Sequence, residues 1–275
     1  MSRTPQPDPV VLVTGASTGI GRATALAAAA AGFTVVAGMR KPTDLDGVDV
    51  RELDVTDPDS VAACVGAVLA AHGRLDAVVN NAGIANNAFT LERASLDAIR
   101  ANLEVNLFGV LAVTRAALPH LRATRGRVVT VGSVRGVIGQ PFNEAYSAAK
   151  FAVEGYLEAL APTAAAVGVT ICIVEPAAVL DTAFVASSPL DPAALLASAG
   201  PYADAFRAYR RFVASGAVEG AQTAAEVAAV IVAALTAEAP PFRIPTSAHA
   251  ARYLARKLAD VDGTETQAMT RAWLA

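Results

Sequence analysis

Short apolar runs alternate along the chain with longer alanine-rich stretches whose apolar residues recur at helical spacing. The apolar runs predict six strands. They are VVLVT (10–14), TVVAGM (34–39), VDVREL (48–53), DAVVN (76–80), RVVTVG (127–132) and VTICIVE (169–175). Strands that alternate with helices are typical of a parallel sheet covered on both faces. We therefore expect an α/β fold, with a single doubly wound domain over residues 1–275.

The alternation stops between residues 181 and 220, where three prolines stand among apolar and aromatic residues. A helix is predicted directly afterwards, at 224–235. An insertion at this place predicts a substrate lid, because open α/β sheets bind their ligands outside the carboxyl ends of the strands. The alternative is a surface helical excursion that buries only itself. Residues 240–275 are expected to form a C-terminal extension.

Composition narrows the classes of protein to which this chain can belong. With 54% hydrophobic but only 5% aromatic residues, it can bury a sizeable core of mainly aliphatic side chains. The chain has a net charge of −3, so it lacks the excess positive charge that binds a phosphate backbone. This argues against nucleic acid as a partner. The polar, proline-rich first residues read as neither a signal peptide nor a membrane span. Cys64 and Cys172 lie in apolar contexts outside any CxxC pair, which predicts reduced core residues in a cytoplasmic protein, with a disulfide as the alternative.

A glycine-rich stretch, TGASTGIG (14–21), follows the first predicted strand and opens a helix. Its three glycines permit a tight turn and a close approach of the backbone to a pyrophosphate. The free N–H groups and the positive dipole end of the helix then face the anion. This context predicts a dinucleotide site, and a simple helix entry is the alternative. The predicted contacts are Gly15, Ser17, Thr18, Gly19, Ile20 and Gly21.

The second predicted strand ends in AGMRK, and the choice of dinucleotide depends on this end. Many dinucleotide folds carry a carboxylate there, which binds the ribose hydroxyls and repels a 2′-phosphate. Here Met39 stands at that position, and Arg40 and Lys41 follow it. Two cations without an acid favour NADP, since arginine can bind a phosphate through two hydrogen bonds, while NAD remains possible. The alternative is a solvated basic turn.

The third predicted strand ends in LDVTDPDS. Asp54, beside Val55, is a candidate acceptor for an adenine amino group, and the alternative is a purely local role in the turn. Thr56 is expected as the N-cap of the next helix, with Asp59 in the reciprocal capping position.

The fourth predicted strand ends in NNAG (80–83). Asn side chains at such a place can tie backbone turns together, and Gly83 leaves room for a ribose. Asn81, Ala82 and Gly83 are therefore predicted cofactor contacts.

These motifs, in this order, resemble those of the short-chain dehydrogenase/reductase family from Val10 to about Phe184. The motifs are TGASTGIG, LDVTD, NNAG, VNLFG around Asn106, VGSVRG around Ser133, and YSAAK. Within the family, PFNEAYSAAKFAVEGYLEALA and DTAF look most like the branch that contains steroid and retinol dehydrogenases. The resemblance implies a Rossmann-type fold, a nicotinamide dinucleotide, and chemistry on ketones, aldehydes and alcohols.

YSAAK places Tyr146 and Lys150 four residues apart, one turn apart on the same face of a helix. A phenol with a pKa of about 10 is a poor base at neutral pH. A cation one turn away and an oxidised nicotinamide would stabilise the phenolate, so we expect Lys150 to lower the pKa of Tyr146, the acid/base. Ser133 is expected to donate a hydrogen bond to the substrate oxygen. The alternative gives each of these residues a structural role alone.

The resemblance implies further roles near the nicotinamide. Lys150 would hold the nicotinamide ribose hydroxyls, and Asn106 would hold a water that links Lys150 to solvent. Pro176, Val179 and Thr182 would belong to a loop that covers the nicotinamide carboxamide.

The sequence departs from the family in one place, which is this loop. In EPAAVLDTAF, Ala177 stands in the position of a glycine, and one additional residue precedes Thr182. If Ala177 has φ > 0, it is strained.

The sequence thus predicts an NADP(H)-dependent oxidoreductase that interconverts a ketone or aldehyde with an alcohol. Its substrate is expected to be apolar and steroid-like, retinoid-like or polyketide-like. A catalytically silent dinucleotide-binding sensor or scaffold is the alternative. His72, His120 and His249 show no metal-ligand spacing and are expected at helix ends with favourable charge, so no metal is predicted. Small residues along 144–167 predict a homodimer or homotetramer, with a monomer as the alternative.

Overall fold

The computed structural model describes residues 8–85, 89–182, 192–216, 220–262 and 264–272. Within them, seven parallel strands form one sheet in the order β3-β2-β1-β4-β5-β6-β7. The strands are β1 (Val10–Thr14), β2 (Thr34–Met39), β3 (Asp49–Glu52), β4 (Ala77–Asn80), β5 (Arg127–Val131), β6 (Thr170–Glu175) and β7 (Arg243–Pro245). The strand order reverses between β1 and β4, which opens a crevice for ligands at the carboxyl edge of the sheet.

Helices cover both faces of this sheet. They are α1 (Gly19–Ala30), α2 (Pro58–His72), α3 (Leu96–Leu103), α4 (Gly109–Thr124), α5 (Glu144–Ala165), α6 (Pro192–Ser198), α7 (Ala203–Gly216), α8 (Ala224–Thr236), α9 (Ala248–Ala259) and α10 (Thr264–Ala272). Val10 and Leu12 of β1 pack into a core with α2, α4 and α5, whereas Val11 and Val13 pack into a second core with α1 and α8. The expected doubly wound α/β fold is confirmed.

Strand β7 was not predicted, because it lies in the region expected to be only a C-terminal extension. It has three residues, one of them a proline, so it carries no readable alternation of apolar and polar positions. Strand β7 is instead formed by pairing with the neighbouring strand β6. Val174 of β6 lies opposite Ile244, and the Ile173 N–H donates to the Phe242 carbonyl at 2.6 Å. The six predicted strands agree with the structure to within one or two residues.

The expected lid falls partly outside the described residues, because 183–191 and 217–219 are not among them. The described part contains α6, a 3₁₀ turn and α7. Phe206 of α7 lies 4.9 Å from the ring centre of Phe89 and 5.1 Å from that of Phe142. Since Phe89 and Phe142 belong to the body of the domain, the insertion does not bury only itself. Both residues have positive φ, 62° and 61°, a strained conformation for such bulky side chains.

One helical stretch among the described residues, Leu96–Thr124, is long and apolar enough to span a membrane by length and composition alone. It comprises α3, a π-helical turn (Glu104–Phe108) and α4. Val113, Ala117 and Leu121 of α4 are fully buried in the core beneath the sheet. The apolar face of the helix therefore has a partner within the domain, and the expectation of no membrane span stays a prediction.

Both cysteines are free and buried, as expected. Burial raises the pKa of Cys64 and of Cys172 to about 11, so both stay protonated at neutral pH.

Candidate active site

The glycine-rich turn at the end of β1 is held by close backbone contacts. Gly15 and Gly19 have positive φ, 65° and 54°. A Cβ on Gly15 would lie 2.7 Å from the Cα of Ala82, and one on Gly21 would lie 2.4 Å from the Gly15 carbonyl oxygen. At the start of α1, the Thr18 side chain makes no capping hydrogen bond. The first backbone N–H groups of α1 thus receive no hydrogen bond from the N-cap side chain. An uncapped helix N-terminus of this kind fits the phosphates of a dinucleotide.

The NNAG motif locks this turn to the end of β4. The Asn81 amide donates to the carbonyls of Thr14 at 2.9 Å and Gly15 at 3.1 Å. In return, the Thr14 hydroxyl accepts from the N–H groups of Asn81 at 3.0 Å and Ala82 at 2.9 Å. Asn81 thus ties two backbone turns together, as predicted.

At the end of β2, Arg40 and Lys41 are exposed. Met39 is not: only 2% of it is exposed, and it packs in the core with its sulfur 3.6 Å from the Thr43 hydroxyl. The interpretation of Met39 as the residue at the usual carboxylate position stays a prediction, and in this structure its side chain faces the core. Arg40 is the first side chain beyond the strand that reaches solvent.

Asp54 anchors the turn after β3. One carboxylate oxygen accepts from the Thr56 N–H at 2.9 Å and from the Thr56 hydroxyl at 2.7 Å. These bonds, with a smaller contribution from the charge of Arg40, hold the pKa of Asp54 below its usual value. The local role of Asp54 is thus present in the structure, while its contact with adenine stays a prediction.

The expected helix cap is displaced by one residue. Asp57 is the N-cap of α2, and its side chain accepts from the Asp59 N–H at 3.0 Å. Thr56 was expected there, but its hydroxyl is turned back to Asp54. Val55 between them is buried and contacts Gly109, where a Cβ would lie 2.7 Å from a Val55 methyl group.

Ser133 and Tyr146 are brought together at the carboxyl end of β5. Ser133 caps a 3₁₀ turn (Val134–Gly136), and its hydroxyl oxygen accepts from the Arg135 N–H at 3.1 Å. Ser133 also bonds to the phenol of Tyr146 on α5. Each of the two residues is 8% exposed. The two hydroxyls therefore meet at a buried position at the carboxyl edge of the sheet.

Burial dominates the environment of Tyr146. Burial raises the pKa of Tyr146 to about 12, opposed by the hydrogen bond from Ser133 and the charge of Arg135. Lys150 lies with its Nζ 5.7 Å from the centre of the Tyr146 ring, and this Nζ donates to the Val131 carbonyl at 2.8 Å. Burial lowers the pKa of Lys150 to about 8. In the protein alone, desolvation of the phenolate therefore outweighs the neighbouring charges. The lowering of the Tyr146 pKa expected from Lys150 together with an oxidised nicotinamide stays a prediction.

Asn106 lies in the π-helical turn between α3 and α4 and is fully buried. Its side-chain oxygen accepts from the Ile84 N–H at 3.2 Å. Its amide donates to the Ile84 carbonyl at 3.0 Å and to the Asn102 side chain at 2.9 Å. Asn106 thus positions the segment that follows Gly83, and its role in holding a water stays a prediction.

The loop after β6 returns to the cofactor turn despite its unusual sequence. The Pro176 carbonyl accepts from the Val134 N–H at 3.1 Å. Ala177 is not among the described residues with positive φ, so the conditional expectation of strain does not apply. Thr182 lies directly over Gly19, where an added Cβ would be 3.2 Å from the Thr182 side chain. The loop therefore accommodates its additional residue before Thr182, and Thr182 still lies next to Gly19.

A short parallel bridge between Val179 and Gln222 holds the same loop. The Gln222 N–H donates to the Ala178 carbonyl at 2.9 Å, and Gln222 accepts from the Leu180 N–H at 3.1 Å. Asp181 accepts from the Ala224 N–H at 2.6 Å at the start of α8. No local sequence pattern predicts this role of Gln222, because its partner Val179 is 43 positions away.

Among the described residues, no group of three or more His, Cys, Asp or Glu side chains is placed to hold a metal ion. His72 ends α2 and lies 3.2 Å from Asp49, and His120 lies near the end of α4. His249 lies in the first turn of α9, where the helix dipole disfavours a positive charge, so the expected favourable charge is wrong for this residue.

Comparison with known proteins gives consistent matches. The family profile described as short chain dehydrogenase matches residues 9–192. A curated relative, 3-ketodihydrosphingosine reductase of Bacteroides thetaiotaomicron, is 38% identical over 169 residues, which cover 61% of this chain and 62% of the relative. The match thus spans about three fifths of that relative's length.

Two solved structures match nearly the whole chain. A short-chain dehydrogenase from Streptomyces avermitilis has a TM-score of 0.77 and 33% identity, with 97% of this chain and 98% of that chain covered. A short chain dehydrogenase from Burkholderia cenocepacia in complex with NADP has a TM-score of 0.74 and 25% identity, with 97% and 99% covered.

Proposed function

The chain belongs to the short-chain dehydrogenase/reductase family, and on that basis we propose that it interconverts a ketone or aldehyde with an alcohol, using NADP(H). The observation that carries this proposal is the hydrogen bond between Ser133 and Tyr146, with Lys150 one helical turn from Tyr146. Both hydroxyls lie at the same carboxyl edge of the sheet as the glycine-rich turn. A catalytically silent sensor would not need two hydroxyls and a cation buried together at this edge of the sheet.

The proton chemistry follows from the state of Tyr146. A pKa near 12 keeps the phenol protonated at neutral pH, so it can donate its proton to a substrate oxygen during carbonyl reduction. Ser133 stabilises the negative charge that develops on that oxygen by donating a second hydrogen bond. The bound nicotinamide dinucleotide supplies the hydride in reduction and accepts it in oxidation. In the oxidative direction Tyr146 must lose its proton first, which its burial opposes.

The remaining residues of the site are proposed to bind and orient the dinucleotide. Gly15, Gly19 and Gly21 let the backbone approach the pyrophosphate. Thr182 lies next to Gly19. Arg40 and Lys41 support a preference for NADP, because both are exposed at the carboxyl end of β2. Lys150 is proposed to hold the nicotinamide ribose.

The insertion of α6 and α7 is proposed to cover the substrate. Phe89, Phe142 and Phe206 form a cluster of rings. Phe142 lies two residues before the start of α5 and four residues before Tyr146, so the cluster adjoins this helix. It supports a substrate whose body is apolar. A cytoplasmic location is proposed from the two free thiols.

The proposal is tested with a panel of ketones and alcohols, each assayed with both cofactors by following the absorbance of the reduced nicotinamide. We expect reduction of bulky apolar ketones with NADPH to be the fastest reaction. Binding of NADPH without turnover of any member of the panel would favour the silent sensor instead.

A further inference from the structure

The loop after β6 runs beside the residues that precede α8. Val179 and Gln222 form a parallel bridge. The Gln222 N–H donates to the Ala178 carbonyl at 2.9 Å, and the Leu180 N–H donates to the Gln222 carbonyl at 3.1 Å. The backbone of Gln222 thus contacts three successive residues of this loop.

The side chain of Gln222 extends in another direction, to the end of β7. Its Nε2 donates to the Thr246 carbonyl at 3.0 Å, and its Oε1 accepts from the Thr246 hydroxyl. Both halves of the amide are therefore paired with one residue, which fixes the orientation of the side chain. Thr246 is only 8% exposed, so water competes little for these two hydrogen bonds.

Thr246 is in turn held by the strand at which the loop begins. The Thr246 N–H donates to the Glu175 carbonyl at 3.3 Å. Glu175 is the last residue of β6 and is fully buried. Gln222 and Thr246 thus connect the middle of the loop with the rigid end of a central strand.

The far end of the loop reaches the glycine-rich turn. The Thr182 hydroxyl donates to the Val179 carbonyl at 3.4 Å, and a Cβ added to Gly19 would lie 3.2 Å from the Thr182 side chain. Asp181, between them, accepts from the Ala224 N–H at 2.6 Å. A displacement of Val179 would therefore move Thr182, and with it the contact to the turn proposed to bind the pyrophosphate.

We propose that Gln222 is a positioning residue for the dinucleotide. It holds the loop 178–182 where the loop covers the cofactor, and it acts through Thr246 and Val179 without touching the cofactor itself. A loop that is fixed before binding loses less conformational entropy when the ligand arrives, so this anchor increases the affinity. The inference rests on the proposed function, because it takes the loop as part of the dinucleotide site.

The test compares two ligands that differ in the part that the loop would cover. NADPH contains the nicotinamide and its ribose, whereas 2′,5′-ADP contains the adenosine and the 2′-phosphate but lacks the nicotinamide half. The quantity measured is the ratio of their dissociation constants, from calorimetric titration. Damage to the adenosine side of the site, or a smaller folded fraction, changes both constants and cancels in the ratio. If the wild type binds only NADH, then NADH and AMP take the places of these two ligands.

Gln222→Met keeps the length of the side chain and removes both of its hydrogen bonds. It should weaken NADPH binding about threefold to tenfold, the scale of one neutral hydrogen bond, and leave 2′,5′-ADP binding unchanged. Thr246→Val should act in the same direction. Because both substitutions break one contact, the double variant should bind NADPH no more weakly than Gln222→Met does.

Thr236→Val is the matched control, since the Thr236 hydroxyl donates to the carbonyls of Val232 and Ala233 in its own helix, α8. It should leave the ratio unchanged. Hydrogen exchange of the ligand-free protein, followed by mass spectrometry, reports on the loop in the absence of any cofactor. The amide of Leu180 should exchange about tenfold faster in Gln222→Met than in the wild type.

An unchanged ratio in Gln222→Met, or an unchanged exchange rate of Leu180, would overturn the inference. If Gln222→Met does not fold, the milder Thr246→Val decides by the same two measurements. A wild type that binds NADPH but reduces no ketone would refute the proposed activity and leave this inference standing. A wild type that binds neither NADPH nor NADH would refute both.

Discussion

Tyr146 shows how a single hydroxyl can be assigned a role at the scale of residues. Its substitution by Phe keeps the ring that fills the buried space and removes only the group that moves the proton. We predict that Tyr146→Phe lowers turnover by at least about a hundredfold, the usual scale of lost acid/base catalysis, while the affinity for NADPH is kept. Steady-state rates and a cofactor titration measure the two effects separately.

Tyr156→Phe is the matched control, because Tyr156 lies on the same helix but is 53% exposed. It should turn over like the wild type. If Tyr146→Phe did so as well, the assignment of Tyr146 as the acid/base would be wrong.

Arg40 is the second residue whose role depends on a single contact. If it binds a 2′-phosphate, that contact exists only with NADP(H). Arg40→Ala should then weaken NADPH binding roughly tenfold to a hundredfold and leave NADH binding nearly unchanged. Dissociation constants for both cofactors should be compared at fixed ionic strength, since an exposed charge is screened by salt.

Arg122→Ala provides the comparison for Arg40, because Arg122 is an exposed arginine in the last turn of α4, near the start of β5. It should leave both constants unchanged. Equal affinities of the wild type for NADPH and NADH would show that Arg40 and Lys41 form only a solvated turn.

At the scale of elements, three ionisable residues join β6, β7 and α5 in the interior. Arg243 of β7 donates to Glu154 of α5 at 2.7 Å and lies 3.9 Å from Glu175 of β6. Burial, and then the neighbouring Glu154, raise the pKa of Glu175 to about 8, although Arg243 opposes the shift. Glu175 therefore carries a proton at neutral pH, and its carboxyl can donate to the carboxylate of Glu154.

This proton links stability to pH. Between the ordinary glutamate value of 4.5 and about 8, the folded state keeps the proton on Glu175 and the unfolded chain releases it. The free energy of unfolding should therefore fall as pH rises through this window. Glu175→Gln is neutral in both states, so its Tm should fall less steeply over the same window.

Thermal unfolding followed by circular dichroism from pH 4.5 to 8 checks this, since about 1 kcal/mol corresponds to roughly 2–4 °C in a domain of this size. Glu238→Gln, at an exposed glutamate, should run parallel to the wild type. A Glu175→Gln profile that also runs parallel to the wild type would mean that Glu175 is ionised in the folded protein.

At the scale of the whole molecule, the outer faces of α4 and α5 leave apolar surface uncovered. Leu118, Pro119 and Leu160 line a groove between the two helices. Phe108, directly before α4, is 52% exposed, and Val167, two residues after α5, is 48% exposed. We predict that a second copy of the chain covers this surface, since a closed symmetric pair would bury it.

Light scattering coupled to gel filtration should then give two or four times the mass of one chain, which is 28.0 kDa. Phe108→Asp should shift the population towards a single chain. Leu258→Asp should not, because Leu258 is 62% exposed on the separate helix α9. A wild type that elutes at the mass of one chain would refute the pairing.

The sequence by itself determined the features that depend on neighbours in the chain. The periodicity of six runs placed six strands, because side-chain alternation is a local property. The glycine spacing placed the cofactor turn, and the spacing of Tyr146 and Lys150 placed both on one helix face. The sequence motifs located Ser133 and Asn106, and both are buried in the structure. Ser133 lies next to Tyr146, and Asn106 lies next to the segment after Gly83.

Only the tertiary structure decided what depends on burial and on distant partners. Strand β7 exists because β6 offers it an edge, and Met39 faces the core because of the sheet that surrounds it. Arg135 and Tyr253 meet across 118 positions, a contact for which no local pattern exists. Burial raises the pKa of Tyr146 to about 12 in the protein alone, and only the tertiary structure could show this. The cost of desolvation depends on how completely the fold excludes water, and sequence spacing carries no measure of that.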